Sequence, residues 1–113
     1  VLYAVAENYK KKGDARNTEL YLFETIRKTN DAVLEVRCRN QLGLSFLGEN
    51  KTAEALEQFR LALDKDVNSA DAHYGIGLVY EKQGNMIKAR YEWRQAIRLN
   101  PLHTETRAKL NIK

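Results

Sequence analysis

The chain contains few of the residues that interrupt secondary structure or cross-link a fold. Its 113 residues include one proline, six glycines and a single cysteine, Cys38. One cysteine cannot form an internal disulfide framework, so disulfide-stapled folds are excluded and the cellular compartment stays open. So little proline and glycine predicts helices that are joined by tight turns.

Long apolar segments are also absent. No apolar run approaches the ~20 residues that a membrane-spanning helix needs, and no secretory signal segment is recognisable. Hydrophobic residues make up 43% of the chain and charged residues 30%, a balance typical of a globular domain rather than a disordered tail. We therefore expect one domain over residues 1–113. Because the chain begins at Val1 rather than Met, we also expect a fragment or a processed product.

The side chains that catalysis or metal binding requires are sparse. His73 and His103 are far apart in the sequence and have no cysteine or carboxylate at ligand spacing, so we predict no metal site. The glycines do not follow a nucleotide-binding fingerprint. Cys38 lies between two arginines whose charges favour a thiolate, but an unreactive thiol is the ordinary expectation. The sequence thus predicts no enzyme activity and no cofactor.

What the sequence does contain is an internal repeat with a period of 34 residues. This shift superposes Leu42 on Ile76, Gly43 on Gly77, Phe46 on Tyr80, Asn50 on Gly84, Ala55 on Ala89, Phe59 on Trp93 and Ala62 on Ala96. Such a period is typical of stacked helix pairs, because a single pair cannot bury its apolar face alone. We interpret the small residues as close helix crossings and the aromatic residues as the groups that fill the space between them. Asn50 and Gly84 are expected to end helices in the left-handed conformation.

These residues resemble the signature of the tetratricopeptide repeat family. The copy at 70–101 fills the signature positions with Ile76, Gly77, Tyr80, Ala89, Trp93, Ala96 and Pro101, and has His73 where the family has Trp. The copy at 36–69 has Arg39 and Val67 in place of the family's Trp and Pro, and the copy at 1–32 matches only at Ala6, Tyr9 and Gly13. The resemblance implies an all-α fold, a right-handed α-α superhelix (solenoid) of antiparallel helix pairs.

The repeat also predicts where the helices lie. We expect helices at about 2–12, 15–29, 31–47, 52–65, 70–83, 86–99 and 104–112. The offset between the first two copies is 37 rather than 34 residues, so a longer helix or loop is expected around residues 30–33. Residues 103–112 are interpreted as a capping helix whose polar face ends the stack. The alternative is the start of a fourth repeat, whose signature positions Arg107 and Asn111 would fill poorly.

The resemblance implies that the first helix of each pair forms the concave wall of the solenoid. The residues between the packing positions would then face a peptide ligand, and these are Tyr3, Glu7, Arg37, Asn40, Gln41, Leu44, Asp71, Tyr74, Leu78 and Lys82. An apolar strip with a polar rim is typical of an interaction site, although such side chains can also pad neighbouring helices. We therefore expect a non-catalytic adaptor that binds a peptide or helix of a partner protein.

One ligand of this family is not expected here. Chaperone-binding members clamp a C-terminal carboxylate with a Lys/Asn/Arg set, and the corresponding positions hold Tyr3, Glu7, Gln41, Asp71 and Gly75. Two of these are acidic and would repel a carboxylate. We predict no tight binding of acidic chaperone tails.

Two alternative interaction surfaces follow from charge and from the chain end. The net charge is +4, and residues 70–113 hold eight basic and four acidic side chains. Arg90, Arg94 and Arg98 recur every four positions and so share one helix face. This basic stripe is either a solvated face or a docking site for an acidic surface; three arginines are few for nucleic acid, which we do not expect as a partner. The other alternative is self-association through the apolar end at residues 1–5.

Overall fold

The computed structural model describes residues 1–113 and contains helices only. The helices are α1 (Leu2–Lys11), α2 (Ala15–Lys28), α3 (Ala32–Gly48), α4 (Thr52–Lys65), α5 (Ala70–Lys82), α6 (Met86–Leu99) and α7 (Thr104–Lys109). The predicted all-α class is confirmed. The largest difference in helix position is at α7, which ends before a turn in which Asn111 has a φ of 57°. None of these helices combines the length and the apolar character needed to cross a membrane.

Side chains at the helix starts and left-handed residues at the helix ends explain most of these boundaries. Asp14, Asp31, Ser69 and Asn85 accept hydrogen bonds from first-turn backbone amides of α2, α3, α5 and α6. After α3 and α5, Asn50 and Gly84 have φ values of 62° and 78°. Both positions were predicted from the repeat, because asparagine and glycine tolerate this conformation best.

The helices form three successive antiparallel pairs. α1 packs against α2, α3 against α4 and α5 against α6, while α2–α3 and α4–α5 contacts join one pair to the next. The first helices of the second and third pairs, α3 and α5, also touch each other directly. The extra residues between the first two repeats lengthen α3, which has 17 residues where α5 has 13.

The core consists of two clusters, one at each junction between pairs. Ala6, Leu22, Cys38 and Leu42 join the first pair to α3. Leu47, Ala55, Phe59, Ile76 and Val79 join the second pair to α5. Phe59 and Trp93 are the largest fully buried side chains, at 0% and 1% exposure. The predicted arrangement of aromatic residues against small ones is therefore observed.

A carboxyl pair lies near the contact between α2 and α3. Glu19 is half-buried, and the Ser45 hydroxyl donates a hydrogen bond to Glu19 Oε2. Burial and a hydrogen bond with the Glu49 carboxyl raise the pKa of Glu19, while the Ser45 hydrogen bond opposes this. A carboxyl that holds its proton more tightly in the folded state stabilises the fold at low pH. This stabilisation is lost as the pH rises from the ordinary carboxyl pKa through the raised one.

We therefore expect Glu19→Gln to stabilise the protein by about 0.5–1 kcal/mol near neutral pH, since it removes the repulsion with Glu49. The gain should vanish at about pH 3, where both carboxyls are protonated. Urea unfolding at several pH values, monitored by circular dichroism, measures the difference. The matched control is Glu57→Gln, which removes an exposed carboxylate of α4 and should change stability at neither pH. A gain that is independent of pH would contradict the role of the pair.

Candidate functional site

A cavity of about 450 Å³ opens between α3, α5 and the start of α7. We call it the α3–α5 cavity. Six of the ten predicted wall residues line it, namely Arg37, Asn40, Gln41 and Leu44 from α3 and Asp71 and Tyr74 from α5. They meet because α3 and α5 are adjacent first helices of successive pairs.

The other four predicted wall residues lie outside this cavity. Tyr3 is half-buried, and the Arg37 guanidinium lies 6.0 Å from the centre of its ring. Burial, together with the nearby Glu7 carboxylate, raises the pKa of Tyr3 to about 12. Leu78 is half-buried and packs against the core cluster around Phe59. Lys82 donates a 2.6 Å hydrogen bond to Asn50 Oδ1 at the end of α3.

The floor of the α3–α5 cavity includes a polar side chain with an unused acceptor. Asn40 is 8% exposed, and its Nδ2 donates a 3.3 Å hydrogen bond to Ser69 Oγ. Ser69 Oγ also accepts a hydrogen bond from the Ala72 amide, which fixes the position of the hydroxyl. Asn40 Oδ1 has no hydrogen-bond partner and is the one buried side-chain polar atom of the chain in that condition. An unpaired buried acceptor is costly, so it favours a ligand that supplies a donor.

His103, which caps the start of the short helix α7, also contributes to the cavity. Its Nδ1 accepts a hydrogen bond from the Thr106 amide, and its Nε2 bonds Asp71 Oδ1 on α5. Because Nδ1 is the acceptor, Nε2 holds the proton and donates to the carboxylate. The His103 ring also lies 5.4 Å from the ring of Tyr74. These contacts anchor α7 on α5 and fix the orientation of both side chains.

Sequence reasoning missed the lining residues that come from turns and from α7. These are chiefly Asp66, Ser69, His103 and Glu105. The sequence indicates that Ser69 and His103 precede helices and can cap them. It does not indicate that Ser69 bonds Asn40 or that His103 bonds Asp71. Burial raises the pKa of the neighbouring Tyr74, so its hydroxyl is a donor at neutral pH.

A second cavity of about 350 Å³ continues from the first toward the α1–α2 turn. Gln41 and Leu44 line both cavities, so the two adjoin along α3, and we call them together the trough. Lys10 donates a 2.6 Å hydrogen bond to Gln41 Oε1 across this trough. Leu44 lies where the two cavities adjoin, and it is 41% exposed. It therefore offers an apolar contact among residues that are mostly polar.

The arginines of the basic stripe are exposed on α6. Arg90, Arg94 and Arg98 form no ion pair, and Arg98 donates to Gln95 Oε1 at 3.0 Å. At the other end of the chain, Val1 is fully exposed while Val5 is half-buried. Binding by the stripe and self-association at this end both stay predictions.

The histidine and the cysteine discussed from the sequence have packing roles. His73 is half-buried and bonds Glu92 on the partner helix α6 through Nδ1 at 2.8 Å. Cys38 is completely buried, and burial raises its pKa to about 11 despite the neighbouring arginines. The thiol is therefore un-ionised at neutral pH and inaccessible to reagents. No group of His, Cys, Asp and Glu side chains is arranged to hold a metal ion.

Comparison with known protein families gives two overlapping matches. A model described as "TPR repeat" matches residues 43–84, and a model described as "Tetratricopeptide repeat" matches residues 70–103. Together they cover residues 43–103, from the last part of α3 to the residue before α7, which is more than half of the chain.

Individual relatives agree with these matches. Protein bimA of Emericella nidulans is 30% identical over 59 residues, which are 52% of this chain and 7% of that protein. The crystal structure of YrrB, described as a TPR protein with an unusual peptide-binding site, has a TM-score of 0.82 at 25% identity. That comparison covers 97% of this chain and 55% of the YrrB chain. PcrH in complex with the chaperone binding region of PopB has a TM-score of 0.78 at 19% identity, over 96% of this chain and 87% of PcrH.

Proposed function

This chain belongs to the tetratricopeptide repeat family, and from that premise we propose that it is a non-catalytic adaptor whose trough along α3 and α5 binds a peptide of a partner protein. The fold is that of a protein-interaction scaffold. The proposal places the ligand in the two joined cavities, with Leu44 and Tyr74 as the apolar contacts.

The observation that supports this proposal most directly is the exposure of Leu44 in a trough that is lined mostly by polar and charged residues. A leucine at this position makes no contribution to either core cluster. Exposed apolar side chains that lie in a concave, polar-rimmed surface are typical of protein-binding sites. Tyr74 adds a partly buried aromatic ring next to it, with a hydroxyl that can pair with a peptide backbone.

The similarity to YrrB also favours a peptide ligand, since that protein is described as having a peptide-binding site. The acidic Glu7 and Asp71 continue to argue against a clamp for a terminal carboxylate. The proposal therefore concerns an internal peptide segment rather than an acidic chain end.

Selection of a phage-displayed random peptide library against the native domain tests the proposal. We expect Leu44→Glu/Tyr74→Glu to weaken the recovered peptides by about 100-fold or more, because a buried apolar contact is replaced by charge. Leu44→Glu alone should give most of this loss. Because Leu44 is exposed, this substitution should leave the fold intact. Dissociation constants from fluorescence polarisation and helical content from circular dichroism are the measurements.

The matched control reverses the charge of the basic stripe instead. Arg90→Glu/Arg94→Glu/Arg98→Glu should leave the dissociation constants within about twofold of the native value if the trough is the site. Loss of binding in this variant but not in Leu44→Glu would move the site to the stripe. Failure to recover any peptide, or recovered peptides that are indifferent to both variants, would contradict the proposal.

A further inference from the structure

The α3–α5 cavity is acidic although the chain as a whole is basic. Three carboxylates line it, from Asp66, Asp71 and Glu105, against one cationic side chain, that of Arg37. The net charge of the chain is +4, with 19 lysines and arginines. Negative charge is thus concentrated at this cavity.

These carboxylates also lack cationic partners within the chain. None of the three pairs with a lysine or arginine, whereas Glu35 pairs with Arg39 and Lys65, and Glu81 pairs with Lys109. Asp71 receives a hydrogen bond from His103 on one oxygen, and its side chain is still 69% exposed. The rim of the cavity therefore offers acceptors and negative charge to whatever enters.

The floor has the same chemistry as the rim. Asn40 Oδ1 is a buried acceptor without a partner, and the side chain that holds it is more than nine-tenths buried. The neighbouring Ser69 Oγ accepts from Asn40 Nδ2 and from the Ala72 amide, and it forms no hydrogen bond with Asn40 Oδ1. A group that satisfies floor and rim together needs several hydrogen-bond donors and a positive charge.

We infer that the α3–α5 cavity is the subsite for a cationic side chain, arginine or lysine, of the bound peptide. Its charged head would lie between Asp71 and Glu105 and supply the missing donor to Asn40, with its apolar stem against Tyr74. A guanidinium or ammonium near the face of a tyrosine is also favoured by the ring quadrupole. The assignment rests on the proposed trough function, because it names the part of the peptide that specifies binding.

Degenerate, fluorescein-labelled peptide pools that differ only at one fixed central residue provide the test. The central residue is arginine, lysine, citrulline or glutamate, and citrulline is a neutral isostere of arginine. We expect the arginine and lysine pools to bind about tenfold or more tightly than the citrulline and glutamate pools, equivalent to about 1.4 kcal/mol.

A charge-neutralising variant completes the design. Asp71→Asn/Glu105→Gln should abolish the preference for arginine over citrulline, and the asparagine oxygen can still accept from His103. The matched control Glu54→Gln/Glu57→Gln removes the same charge from exposed positions of α4 and should leave the preference intact. A preference that survives the first variant, or is lost in the second, overturns the assignment.

The two proposals fail in different ways. If all pools bind equally and Leu44→Glu abolishes their binding, the trough is the peptide site but the cationic subsite is wrong. If no pool binds, or if binding is indifferent to Leu44→Glu, the trough function itself is wrong and the subsite is rejected with it.

Discussion

Phe59→Ala is expected to lower the free energy of unfolding by about 3–5 kcal/mol, which is a large part of the stability of a domain of this size. Phe59 is completely buried at the junction of the second and third helix pairs. Its ring lies directly against the backbone of two glycines, Gly43 on α3 and Gly75 on α5. Neither of these two contact positions has a side chain that could move into the space that the ring leaves.

The same substitution should also separate the unfolding of one pair from that of the others. In a solenoid each pair contacts only its neighbours, so cooperativity depends on the junctions. Trp93 is the one tryptophan and lies in α6, so its fluorescence reports the third pair while circular dichroism reports all helices. We expect coincident urea transitions for the native chain and distinct transitions for Phe59→Ala.

The control is Phe23→Ala on α2, which removes an identical ring from a position that is 41% exposed. Its ring makes a tilted contact with Phe46 at 6.3 Å, so a loss of about 1 kcal/mol or less is expected, without separation of the transitions. Equal losses for the two variants would show that Phe59 has no special role at the junction.

The contacts of Phe59 show how far the fold was predictable from sequence. Phe59 and Gly43 occur in both well-matched repeats, as Phe59/Trp93 and Gly43/Gly77, so a 34-residue period reveals them. The position equivalent to Gly75 in the preceding repeat holds Gln41, so the 34-residue period does not reveal Gly75 as a packing position. Its contact with Phe59 follows from the way the third pair stacks on the second, which is a property of the assembled solenoid.

The trough was less predictable for the same physical reason. The periodicity predicts which residues of α3 and α5 lie between the packing positions, but it does not separate the exposed Leu44 from the buried Leu47. Nor does it indicate how far a neighbouring helix covers a side chain, and Leu78, one of the predicted wall residues, also packs against the core cluster around Phe59. Hydrogen bonds such as Asn40–Ser69 join residues distant in sequence, so no periodic pattern indicates them.

Gly77→Ala and Gly48→Ala, the same substitution in two helices, are expected to have opposite effects. A methyl group at Gly77 would lie 2.2 Å from Nε1 and 2.5 Å from Cδ1 of Trp93. The indole is 1% exposed and donates from Nε1 to the Tyr74 carbonyl at 3.3 Å, so it cannot rotate away. The overlap forces α5 and α6 apart, and we expect a loss of about 2–3 kcal/mol.

At Gly48 the new methyl group would meet no atom within 4 Å. Gly48 is the last residue of α3, and alanine lowers the conformational entropy of the unfolded chain. A gain of about 0.5–1 kcal/mol is therefore expected. Urea unfolding followed by Trp93 fluorescence measures both effects, and the emission of folded Gly77→Ala should shift to longer wavelength as the indole becomes accessible to water.

The two glycine substitutions together distinguish steric contact from helix propensity, because propensity alone predicts that alanine stabilises both helices. Stabilisation by Gly77→Ala would mean that α5 and α6 can separate without cost, and the tight crossing inferred from the repeat would then be wrong. Destabilisation by both variants would point to a requirement for flexibility at the end of α3. The two changes in the free energy of unfolding should have opposite signs only if the Trp93 ring occupies the space that a side chain at position 77 would need.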